Sequence, residues 1–109
     1  MIMEKVKESV VHDLKEMISY AEGATVSKVL TKNKQGNTTL FAFDKGQGLS
    51  EHTAPFNAMV IILDGQCNVI INGELHLLEE GQMIIMPANI PHALESITSF
   101  KMLLIMIKD

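Results

Sequence analysis

A chain of 109 residues, 47% hydrophobic and 20% charged, has room for one core and no second domain, so residues 1–109 read as one unit. Its net charge of −4, with nine Lys and Arg spread along the sequence, supplies no basic stripe for phosphates and argues against a nucleic-acid partner. The lone Cys67 excludes an internal disulfide and points to a reducing, cytoplasmic setting; no apolar signal core opens the chain, and the run 102–107 is too short to cross a bilayer.

Residues 1–23 read as an N-terminal arm. Val6, Val10, Leu14, Met17 and Ile18 recur at helical spacing, and Asp13 with Glu16 has the pattern of a capping box. This predicts a short helix from about Leu14 to Tyr20, ended by Glu22-Gly23, with Val10-Val11-His12 before it as an edge strand. Beyond Gly23 the pattern is that of strands. Val26–Leu30 and Thr38–Phe43 flank the polar turn 32–37, and Ala58–Leu63 and Cys67–Ile71 flank Asp64-Gly65. Cys67–Ile71 and Glu74–Leu78 flank Asn72-Gly73; Met83–Met86 then runs into Pro87, and Phe100–Ile107 follows. Both glycine dipeptides predict hairpins, because tight two-residue turns need positive φ. Short strands with turns about every ten residues predict an all-β sandwich or barrel. In Ala58–Leu63 both alternating faces are apolar. One face must look into the barrel, and the other must be covered by the N-terminal segment or by a second copy, which predicts a homodimer.

Two segments carry the residues suited to chemistry: GQGLSEHTAPFNAMVIILDG over 46–65 and GQMIIMPANIPH over 81–92. They resemble the two motifs of the cupin superfamily. The first motif is a Gly, then His-x-His, a Glu and a second Gly; Gly46, His52 and Gly65 fall on its spacing. The second is a Gly, then Pro-x-Gly and a His; Gly81, Pro87 and His92 fall on it. Asn89 stands where the second motif has a further glycine, and Asn tolerates the positive φ such a turn needs. The resemblance covers about residues 38–107. It implies a double-stranded β-helix, the jelly-roll barrel of cupins, behind a short N-terminal helix.

The resemblance also implies a metal site built from two His, a Glu and a later His. Here the second His position is Ala54 and the Glu position is Ala58, so only His52 and His92 remain of the four. Two imidazoles without a carboxylate make a weak divalent site, so no cofactor is firmly implied, a divalent transition metal remaining an option. Three readings of the pair stay open: a surviving metal pair, hydrogen-bonding groups in a ligand pocket, or histidines with a structural role only. The two alanines widen an apolar cavity, and Met86 and Met102 are candidates for its wall. The reading that results is a small-molecule-binding module, leaning away from an enzyme. The alternative is a metal-dependent oxygenase or isomerase that uses His52 and His92 with non-standard ligands. His76 is expected on the solvent face opposite Leu75 and Leu77, Glu51 on the face opposite His52, His12 without a role, and Cys67 as a small buried hydrophobe.

Overall fold

The computed structural model describes residues 6–108. Among them nine strands form: β1 (Thr25–Asn33), β2 (Gly36–Phe43), β3 (Gly48–His52), β4 (Phe56–Asp64), β5 (Gln66–Ile71), β6 (Glu74–Glu79), β7 (Met83–Met86), β8 (His92–Ser96) and β9 (Phe100–Lys108). They make two sheets, ordered β1-β2-β9-β4-β7 and β3-β8-β5-β6, with antiparallel neighbours throughout. This is the expected jelly roll. No helix among the described residues is long and apolar enough to cross a membrane.

The core lies between the sheets. Alternate residues of β4 (Ala58, Val60, Ile62), β5 (Cys67, Val69) and β9 (Phe100, Met102, Leu104) are buried there, as a half-buried pleated strand requires. Phe43 stacks between Phe41 and Phe100, with ring centroids 5.6 and 4.6 Å apart. Cys67 is fully buried, and burial pushes its thiol up to about 12, so it behaves as the small hydrophobe expected.

Four local expectations need correction. The helix is a single 3-10 turn, Leu14–Met17, and Asp13 makes no side-chain cap. Ile18, extended and buried, ends it, so Glu22-Gly23 is a separate turn. Val10-Val11-His12 pairs with no strand among the described residues, and Val11 is 97% exposed.

Asp64-Gly65 is not a hairpin but a corner where the chain leaves one sheet for the other. Only Gly65 separates β4 from β5, whereas a tight hairpin loop needs two residues. Gly65 sits at φ +75, and a Cβ there would lie 2.0 Å from the Ser99 carbonyl oxygen. Asn72-Gly73, by contrast, closes a true two-residue hairpin between β5 and β6, with both residues at positive φ.

The fourth correction concerns β6. His76 and Leu78 face inward, opposite Val69 and Cys67 of β5, while Leu75 and Leu77 are exposed. Pairing fixes this phase, since residues directly opposite share a face.

Candidate functional site

The four-stranded sheet brings together histidines forty positions apart in sequence. His52 ends β3, His92 begins β8, and the two are cross-strand partners. Neither strand was expected, because five-residue pieces of mixed polarity carry little alternation. The rings meet edge to face with centroids 4.4 Å apart.

Each ring is held the same way. His52 Nδ1 lies 2.8 Å from the Ser50 carbonyl oxygen, and His92 Nδ1 lies 3.2 Å from that of Ile90. A carbonyl can only accept, so in each neutral ring Nδ1 carries the hydrogen and Nε2 keeps the lone pair. Among the described residues neither Nε2 has a protein partner, and no buried side-chain nitrogen or oxygen is left unpaired. The His92 Nε2 therefore keeps some contact with solvent, although the residue is only 5% exposed. Burial lowers the His92 pKa below the ordinary 6.5; the bond to Ile90 opposes this, and a charge on His52 lowers it further. At neutral pH this imidazole is an acceptor.

The loop before His92 is clamped from three sides. Asn57 Oδ1 accepts from the Ala88 N–H (3.0 Å), the Ala54 carbonyl accepts from the Asn89 N–H (2.8 Å), and the Pro91 carbonyl accepts from the Asn72 N–H (2.8 Å). Asn89 adopts φ +64, the left-handed turn expected of it. Sequence reasoning did not single out Asn57; its polar side chain in an apolar strand was the signal.

The other sequence-derived site residues spread over both sheets. Ala54 lies in the loop after β3 and is half-buried. Ala58 is buried on β4, with Met86 of β7 on one side and Met106 of β9 on the other. Met102 lies four residues from Met106 along β9, about 13 Å of strand, and is wholly buried opposite Ile62 and Phe41. Met106, rather than Met102, stands level with Ala58. His76 lines a separate hollow of about 400 Å³ between the edge strands β6 and β7, with Gln82 and Met83. A hollow of about 590 Å³ lies beside β3 and β8, between Glu51 and Glu95.

A metal held by three or four protein donors does not fit this arrangement. Among the described residues no three His, Cys, Asp or Glu side chains stand close enough to share an ion. The Nδ1-to-carbonyl bonds are nevertheless those that ready an imidazole for coordination through Nε2.

The family profile described as "Cupin domain" matches residues 39–108. A solved conserved protein of unknown function from Streptococcus pyogenes is 35% identical, with a TM-score of 0.92 over 100% of this chain and 96% of that one. A cupin 2 conserved barrel domain protein from Leptotrichia buccalis is 40% identical, with a TM-score of 0.86 over 89% of this chain and 47% of that one. A cupin superfamily protein from Desulfitobacterium hafniense shares the fold across the full length of both chains, at 23% identity and a TM-score of 0.90. No curated protein matches the chain.

Proposed function

The chain belongs to the cupin superfamily, and from that premise we propose that it is a small-molecule-binding barrel. In it His52 and His92 orient the ligand, and Ala54, Ala58 and Met86 belong to the apolar side of the site, with Met106 in the place expected of Met102. The observation that carries this reading is the pair of tautomer-fixed imidazoles, each left with a free Nε2 acceptor. Two neighbouring acceptors beside an apolar wall suit a compact ligand with an apolar body and two hydrogen-bond donors. A protein of this kind, with a reduced, buried Cys67, suits the cytoplasm.

Native mass spectrometry of protein purified without chelator tests the reading. The expected result is an organic adduct on the parent that is lost from the His52→Ala/His92→Ala variant, with metal well below one equivalent. The Nδ1 bonds favour one second reading, a metal-dependent enzyme with non-standard ligands. One equivalent of a transition metal on the parent, lost from the variant, would decide for that reading and against the binding module. An adduct retained by the variant would remove the histidines from the site.

A further inference from the structure

The nine basic residues form no stripe, yet their placement is uneven. None of them lies within 46–100, a stretch that holds six acidic residues and so carries a formal charge of −6. The rest of the chain carries +2. The whole β3-β8-β5-β6 sheet falls inside that stretch, so its outer face has acids and no base of its own. Among the described residues the ion pairs are those of Lys15 with Asp64 and Glu80, and neither touches this face.

Pairing fixes which side chains that outer face presents. Ala93, Ile70 and Leu75 stand in register across β8, β5 and β6, and Leu77 follows in the next row with Asn68 and Glu95. Leu75 and Leu77 are 64% and 54% exposed, while Ile70 and Ala93 are half-buried. Carboxylates flank this apolar strip on both sides. Glu51 and Glu95 border the hollow of about 590 Å³, which Ile70 and Ala93 also line, and Gly48 opposite Glu95 adds no side chain to fill it. On the other flank Glu79 ends β6 beside Gln66, whose amide donates to it (2.8 Å).

We infer that this face docks a basic, amphipathic helix of another protein. Two exposed leucines on a sheet face with no layer above it want an apolar cover, and the charge says what else the cover must carry. A carboxylate-rimmed face without a cation repels nucleic acid and anionic lipid, and attracts a surface rich in Lys or Arg. The apolar side chains stand on the face and not along an edge, which selects a helix laid on the sheet over a strand added to β3 or β6. A helix about 10 Å across matches three strands about 4.8 Å apart. Its aliphatic residues at one-turn spacing meet Ile70, Leu75 and Leu77. A Lys or Arg on one flank lays its stem over Ala93 with its head between Glu51 and Glu95, and one on the other flank meets Glu79. Among the described residues this chain's own helix is a four-residue 3-10 turn, so a second copy does not supply such an element. The surface lies outside the barrel and does not depend on the histidine pair.

The test is an amide-shift NMR titration of the full chain with a designed helix of about 14 residues, Leu on one face and Lys on the other. A second peptide keeps the lysines and replaces every Leu by Gln. The expected result is saturable binding of the first peptide, with shifts gathered on residues 48–51, 68–79 and 93–95, and at least tenfold weaker binding of the second. Leu75→Ser/Leu77→Ser and Glu51→Lys/Glu95→Lys should each raise the dissociation constant at least tenfold. Glu16→Lys/Glu22→Lys changes the net charge equally on the arm and should leave it within twofold. All six positions are exposed, and circular dichroism melts check the fold; the shift map of the parent stands without any variant. Equal binding of the two peptides overturns the proposal, as do shifts centred elsewhere or equal sensitivity to the arm variant. Shifts of the same amides on diluting the protein alone would show a second copy on this face and also overturn it.

Discussion

Putting back the two donors that the sequence lacks, as Ala54→His with Ala58→Glu, probes directly whether those positions surround the histidine pair. Ala58 is 3% exposed between Met86 and Met106. A glutamate there adds volume to a filled core, about 1–3 kcal/mol, and loses hydration worth several kcal/mol if it stays ionised. Against a total stability of about 5–15 kcal/mol, the metal-free double variant should melt at least 15 °C below the parent, at about 4–8 °C per kcal/mol. If His52, His92 and the two new side chains converge, Mn²⁺, Ni²⁺ or Zn²⁺ at a hundred times its dissociation constant returns about 2.7 kcal/mol. That is a recovery of at least 10 °C at the same conversion. The parent, with two donors, should gain no more than a few degrees. Circular dichroism melts of both proteins, with and without metal, read the difference. A folded double variant as indifferent to metal as its parent would refute the placement of Ala54 and Ala58 around the pair.

Stability should fall as pH drops below 6.5, because the folded state holds His92 neutral while the unfolded chain takes up the proton. The contribution is complete above the unfolded value and is lost as pH passes down through the lower folded one. Urea midpoints at pH 7.5 and 5 should therefore differ more for the parent than for His92→Gln. Gly65→Ala should cost about 3 kcal/mol, since it combines a left-handed φ with a backbone collision. Gly73→Ala, at φ +82 in open space, should cost about 1 kcal/mol; chemical denaturation of the two variants ranks them. Cys67 should resist alkylation at pH 8 in the native protein and react only on unfolding, as mass spectrometry after iodoacetamide would show.

The barrel was legible because several independent signals agree: strand alternation, the Asn72-Gly73 hairpin, and the in-register glycines and proline of the two motifs. What escaped was set by tertiary pairing. The strands β3 and β8, which carry the histidines, are short and pair across some forty intervening residues, so nothing local announces them. The adjacent Leu77 and Leu78 let β6 be read in either phase, and only the partners on β5 choose between them. Asp64-Gly65 has the composition of a hairpin, but β5 departs into the other sheet. The 3-10 turn is short because its apolar side chains serve as a clamp on the sheet below, and that docking outweighs helical spacing. His52 and His92 were legible as a pair, whereas their shared Nδ1 bonds depend on the backbone two residues earlier in each strand.

The ninth strand lies in the middle of its sheet, between β2 and β4, not at a border. During synthesis the first eight strands can leave the ribosome and still have a slot open through that layer, since β2 and β4 each pair with β9 and not with each other. Completion waits for residues 100–108, so a nascent chain stalled before them exposes two unsatisfied strand borders. Loss of this segment should act as a quality checkpoint, sending the product to chaperones or proteases rather than yielding a slightly shorter barrel.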